Sequence, residues 1–187
     1  GKVWIMKVIS GIYKGRNLLG YNLDGTRPTM DRVKESLFAS IQDNIQESIV
    51  LDLFSGSGSL AIEALSEGAS FAYAVDKSHQ AIKIINENIK TIGVKNCKVI
   101  LSDYKIVLKE FSSKKIKFDL IFLDPPYATN YIEESLKLIS NLKLLNSSGL
   151  IICESNSLDK IIYDDSFTKI KEKKYGDKWV VILRNIC

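Results

Sequence analysis

The chain has 187 residues, 45% hydrophobic and 26% charged, with a net charge of +4; that is enough for one domain with a full core, and the composition excludes extended disorder. Three widely spaced cysteines (Cys97, Cys153, Cys187), no Cys-x-x-Cys pair and a single histidine, His79, speak against a disulfide scaffold or a metal site and fit a reducing, cytoplasmic compartment. No apolar run reaches membrane-spanning length, and the start Gly1-Lys2-Val3-Trp4-Ile5 lacks the apolar stretch of a signal peptide.

Met6 reads as a natural first residue, so residues 1–5 are set aside from fold reasoning. Residues 7–23 alternate short apolar pieces with glycines and basic side chains, which predicts a small hairpin arm rather than a core element. Residues 1–35 hold seven basic side chains (Lys2, Lys7, Lys14, Arg16, Arg27, Arg32, Lys34) against three acidic ones (Asp24, Asp31, Glu35). Three of the chain's four arginines lie there, and the planar guanidinium fork suits phosphate. Apolar residues at 30, 33, 37, 38 and 41 then keep helical spacing, with Thr29 as candidate N-cap and Arg32 near the first turn, where a cation opposes the helix dipole.

From residue 49 the pattern becomes regular. Strand-like runs at 49–53, 71–75, 97–101, 118–123 and 149–153 alternate with helical patterns at about 59–67, 78–91, 103–111 and 130–143. Such alternation needs crossover connections, hence a parallel sheet with helices on both faces. Residues 169–174 and 178–183 predict two further strands joined at Tyr175-Gly176-Asp177, an antiparallel closing hairpin.

Two strand ends stand out. Leu120-Ile121-Phe122-Leu123 ends on Asp124-Pro125-Pro126-Tyr127, where the prolines cannot continue the strand and leave the carboxylate at its carboxyl end. Ile49 to Leu53 carries Asp52 and enters the loop Ser55-Gly56-Ser57-Gly58. In a doubly wound sheet these ends share the crevice where strand order reverses, so the two motifs belong to one site. Gly56-x-Gly58-x-x-Ala61 with Asp76 also satisfies a dinucleotide fingerprint. Asp52 is the discriminating residue: a carboxylate at the loop repels a pyrophosphate and welcomes a cationic sulfonium and aminoacyl group. S-adenosylmethionine fits, with Asp76 for the ribose hydroxyls and Asp103 for the adenine edge. Asp103 also has an ordinary role open to it, as cap of the helix beginning at Tyr104.

Asp-Pro-Pro-Tyr matches the signature of methyltransferases acting on amino nitrogens. An aryl amine is a poor nucleophile because its lone pair is delocalised into the ring. Accepting its N–H groups on the Asp124 carboxylate and the Pro125 carbonyl pulls the nitrogen toward sp³ and aims the lone pair, while Tyr127 stacks on the base. A cysteine nucleophile for carbon methylation is not placed at this edge.

The chain resembles the bacterial 16S ribosomal RNA guanine-N2-methyltransferase family over nearly its whole length. The likeness rests on Ile9-Ser10-Gly11 with Lys14-Gly15-Arg16, Arg27-Pro28-Thr29-x-Asp31-Arg32-Val33-Lys34-Glu35, Leu51-Asp52-Leu53-Phe54-Ser55-Gly56-Ser57-Gly58, Phe118 to Tyr127, and Lys174-Tyr175-Gly176-Asp177. It implies a Rossmann-like class I methyltransferase, α/β, with a seven-stranded, mostly parallel sheet. It also implies S-adenosylmethionine as donor and the assembled small subunit as substrate. The expected division is a basic arm over 1–28 and a methyltransferase domain over 29–187. Expected catalytic residues are Asp124, Pro125 and Tyr127. Expected cofactor residues are Asp52, Phe54, Gly56, Ser57, Gly58, Asp76, Lys77, Asp103 and Tyr104. Lys14, Arg16, Arg27, Thr29 and Arg32 are expected against RNA, with no metal and a monomer sufficing. An adenine-N6 methyltransferase, a catalytically silent RNA-binding assembly factor and, last, a dehydrogenase are the competing readings.

Overall fold

A computed structural model of the chain describes residues 2–22, 31–126 and 129–186. Tyr127 and the stretch holding Arg27 and Thr29 lie outside the described residues. Strands β3 (Ile49–Asp52), β4 (Phe71–Asp76), β5 (Cys97–Leu101), β6 (Phe118–Leu123), β7 (Leu145–Ser155), β8 (Phe167–Tyr175) and β9 (Lys178–Asn185) form one sheet in the order β5-β4-β3-β6-β7-β9-β8. The first five are mutually parallel, and β9 runs antiparallel to both β7 and β8. The sequence-predicted strands all appear. β7 is longer than expected because Asn146 to Gly149, polar enough to read as a loop, is absorbed as an irregularity in its pairing with β6.

Neighbouring strand residues point to opposite faces, and this divides the core in two. Val50, Leu120 and Ile152 join one apolar cluster with helices α1 (Asp31–Ser40), α2 (Ser59–Ser66) and α3 (His79–Ile92). Leu51, Ile121 and Ile151 join the other with α4 (Tyr104–Ser113) and α5 (Tyr131–Asn141). Continuous apolar runs in the central strands follow from this double coverage.

The arm corrects the expectation. β1 (Lys2–Lys7) and β2 (Asn17–Asn22) pair antiparallel, so residues 2–5, set aside above, form most of the first strand. Met6, Val8 and Leu18 are buried in the same cluster as α2 and α3, which makes the hairpin a core element. Asn88 of α3 fastens β2 by accepting from the Leu19 N–H at 2.7 Å and donating to the Leu19 carbonyl at 2.8 Å. At its turn the hairpin touches the end of α2: Gly11 has φ +90°, and a Cβ there would lie 1.8 Å from the Ser66 carbonyl oxygen. Only glycine permits that approach.

Candidate active site

The reversal of strand order falls at β3, flanked by β4 and β6, and the main cleft opens outside their carboxyl ends. Its floor is the loop after β3. Gly56 has φ +60° and donates its N–H to Asp76 Oδ2 at 2.9 Å; a Cβ on it would sit 3.3 Å from the Tyr21 carbonyl oxygen. Asp76 Oδ1 accepts the Ser78 N–H at 2.9 Å. Burial raises the Asp76 pKa, and these backbone donors oppose the rise. Each oxygen thus has one backbone donor and keeps lone-pair capacity for a diol.

Phe54 stacks on Tyr131, centroids 5.9 Å apart and planes 8° from parallel, and tilts against Tyr104 at 5.4 Å. All three rings line the cleft. The Tyr104 hydroxyl bonds Glu134, and its pKa is raised by burial first and by Glu134 second. Lys77 lines the same wall, its Nζ 3.3 Å from the Tyr131 hydroxyl. Ser57 also lines the cleft, while its carbonyl accepts from Asn88. On the opposite wall stand Asp124, Pro125 and Pro126, at the end of β6 as the sequence predicted.

Three expected contacts are not cleft-lining. The Asp52 side chain is buried behind the loop, where Oδ2 accepts from the Ser55 hydroxyl at 2.7 Å and Oδ1 has no hydrogen-bond partner among the described residues. Burial, followed by repulsion from Asp124, lifts its pKa to about 7 against the pull of Ser55. Asp52 therefore braces the glycine loop from behind, and its side chain does not line the cleft. Gly58 precedes α2 as its N-cap with φ +82°, and a Cβ there would press on Ile85 of α3 at 3.2 Å. Asp103 caps α4 by accepting the Lys105 N–H at 2.8 Å, the ordinary role open to a strand-ending acid; Ser102, one residue earlier, faces the cleft instead.

Lys14, Arg16 and Arg32 do not line the cleft either. Arg16 Nη2 donates to the Thr91 carbonyl at 2.9 Å, at the far end of α3. α3 starts beside the cleft and has 14 residues, so that end lies roughly 20 Å away at 1.5 Å per residue. Lys14 is exposed on the adjoining turn, and Arg32 is exposed in the first turn of α1.

Two lysines that sequence reasoning missed reach the site. Lys34, 1% exposed, donates to the Lys7 carbonyl at 2.9 Å and to Ser59 Oγ at 3.0 Å and pairs with the buried Glu63 at 3.4 Å. Burial lowers its pKa, with Glu63 opposing. Glu63 in turn accepts the N–H groups of Ile9 and Ser10 at 2.9 and 3.1 Å, so the pair joins arm, α1 and α2 beneath the cleft. Lys178 opens β9 and sets Nζ 2.9 and 3.0 Å from the two oxygens of Asp124 and 3.8 Å from Glu154. Lys34 was hidden within a helical charge pattern. Lys178 could have been suspected only from its place at the hairpin that closes the sheet beside β7.

A strand-order reversal at β3, a glycine loop tied to the acid ending β4, and a proline turn ending β6 define a Rossmann-like class I methyltransferase. This class takes S-adenosylmethionine, and the cleft fits it: Gly56 lines it, the Asp76 oxygens keep acceptor capacity for a diol, and Phe54, Tyr104 and Tyr131 give it an aromatic wall. The chain belongs to the family described as Conserved hypothetical protein 95, matched over residues 6–184. Ribosomal RNA small subunit methyltransferase D of Haemophilus influenzae is 34% identical, over 91% of this chain and 89% of that protein. The Bacillus subtilis protein YlbH is 40% identical, over 80% of this chain and 82% of its own length. The solved structure of yhhF from Escherichia coli superposes with a TM-score of 0.86 at 28% identity, covering 97% of this chain and 98% of that one.

Proposed function

We propose that the chain transfers a methyl group to the exocyclic N2 amine of a guanine in 16S ribosomal RNA of the small subunit. The observation that carries this reading is Asp124 standing at the carboxyl end of β6, across one cleft from the Gly56 and Asp76 half. Names of relatives such as the Haemophilus influenzae protein supply the ribosomal small subunit, and the motif resemblance supplies guanine N2.

When bound, S-adenosylmethionine supplies an electrophilic methyl on a cationic sulfur. Asp76 orients the ribose through its oxygens, each already anchored by a backbone N–H. Gly56, Ser57 and the start of α2 at Ser59 present backbone to the aminoacyl end, and the helix N-terminus favours its carboxylate. Asp124 and the Pro125 carbonyl would accept hydrogen bonds from the two amine N–H groups, and Asp124 would stabilise the positive charge that grows on nitrogen as the methyl leaves the cofactor's sulfur. The methylated amine then gives up one proton, through Asp124 or directly, to solvent. Tyr127 is assigned to stacking on the base. The RNA surface is assigned to Arg27, Thr29 and Arg32. Lysines of β8 extend it on the acceptor side, where Lys173 lies 5.0 Å over Tyr175 and Lys174 5.5 Å over Trp179.

The test is methyl transfer from labelled S-adenosylmethionine to unmethylated small subunits, followed by digestion to nucleosides. Labelled N2-methylguanosine is expected. Labelled N6-methyladenosine would overturn the base assignment, and absence of label would overturn the reaction.

A further inference from the structure

Resting on the reading that Asp124 receives the acceptor amine, we propose that Lys178 is a displaceable counter-ion. Its ammonium stands where the acceptor nitrogen must go, and Glu154 takes it up when the acceptor arrives. Lys178 Nζ spans both oxygens of Asp124 at 2.9 and 3.0 Å. A primary amine engaged in methyl transfer needs that same carboxylate for its N–H groups. The ammonium thus imitates the bound acceptor and, having no lone pair, cannot itself accept a methyl group.

A second carboxylate stands behind it. Glu154 is 0% exposed on β7, with Oε1 3.8 Å from Nζ. The difference from 2.9 Å is less than the width of one atom, so a side-chain adjustment of about 1 Å moves the charge-assisted bond from Asp124 to Glu154. The backbone does not need to move: β9 is held in register, with Trp179 opposite Ser155 and Val180 opposite Glu154. Lys178 follows directly on the turn at Gly176 and Asp177, so its stem starts at the edge of the cleft.

The exchange serves specificity. An acceptor must supply enough binding elsewhere on the protein to displace an ion pair before its nitrogen reaches Asp124. Small amines and short RNA lack that binding energy. The resting pair also holds Asp124 in one orientation beside Asp52, whose pKa already registers repulsion from it.

Three variants decide the matter: Glu154→Gln, Lys178→Met and the two combined, each checked by thermal unfolding and by affinity for S-adenosylmethionine. Glu154→Gln removes the receiving charge and leaves the ammonium on Asp124. Its kcat/KM for small subunits should fall at least about tenfold, with cofactor affinity within about threefold. Adding Lys178→Met should recover most of that loss and lower KM for a short RNA stem-loop about tenfold. Where Lys178→Met alone removes a cation beside the buried Glu154 and fails to fold, the double variant, neutral at both positions, carries the test. A double variant no better than Glu154→Gln would show that Lys178 is a fixed support for Asp124 and would overturn the exchange. Absence of transfer by the wild-type protein would overturn the reading beneath this inference and the inference with it, whereas transfer by the wild type with no recovery in the double variant would overturn the exchange alone.

Discussion

The cleft has two walls, each carrying one strand-ending acid, and they are held by different means. Asp76 ends β4 and is fixed by two backbone N–H groups, those of Gly56 and Ser78. Asp124 ends β6 and is met by a side-chain ammonium at the end of a flexible stem. Backbone donors cost no rotamer entropy and cannot leave, which suits a wall that receives the same cofactor each cycle. A lysine can withdraw, which suits a wall where the acceptor must enter and depart. Under the proposed function, fixed polarity serves cofactor binding and exchangeable polarity serves reaction.

Substitution of each acid breaks this comparison most directly. Asp124→Ala should abolish turnover, a loss of about 4 kcal/mol or more in transition-state stabilisation, with S-adenosylmethionine Kd within about tenfold. Equal loss of both quantities would mean that the two walls are not functionally distinct. Asp76→Ala should have the opposite profile: Kd for the cofactor about a hundredfold weaker, near 3 kcal/mol, measured by calorimetry. At saturating cofactor, kcat for that variant should stay within a few-fold of wild type.

Asp52 sharpens the comparison, because it supports the loop without lining the cleft. Its carboxyl has a pKa raised from 3.8 to about 7 by burial. Between those values the unfolded chain releases the proton and the folded chain keeps it, so this group's stability contribution is full below pH 4 and falls as pH rises toward 7. Asp52→Asn should therefore raise thermal stability at pH 8 by a few kcal/mol at most and converge with wild type near pH 4. A constant offset across that range would assign the effect to packing. The smallest effect is expected at Arg16. Arg16→Ala should lower stability by about 0.5–1 kcal/mol through loss of a cation at the end of α3, and should leave the salt dependence of RNA binding unmoved. A shallower salt slope would return the arm to the RNA surface.

The place of Arg16 at the end of α3 shows where pattern reading stops. A cluster of basic residues near an N-terminus suits a polyanion, yet the same guanidinium also suits the carbonyls at a helix end, and local sequence does not distinguish them. The strands and helices were legible because their periods and punctuation are local: Leu120 to Leu123 is a doubly covered strand, and Pro125 with Pro126 ends it. The arm was misread as peripheral because its apolar residues are few. They are buried nonetheless, since α2 and α3 offer them a face and Gly11 admits the contact.

By itself the sequence determined the alternating α/β order, the closing hairpin, the glycine loop and the acid before the prolines. Each of these follows from hydrophobic period, backbone restriction or residue chemistry within a short window. Only the tertiary structure decided which carboxyls face the cleft and what stands opposite them. Asp52, Asp76, Asp103 and Asp124 all occupy or follow strand ends, but side-chain direction turns one inward onto Ser55, makes one a helix cap and leaves two in the cleft. Lys178 reaches Asp124 across 54 positions of chain because β9 runs antiparallel beside β7 and thereby brings its first residue to the carboxyl ends of the parallel strands. Such a pairing depends on strand order and direction, which arise from long-range packing and leave no mark in local sequence.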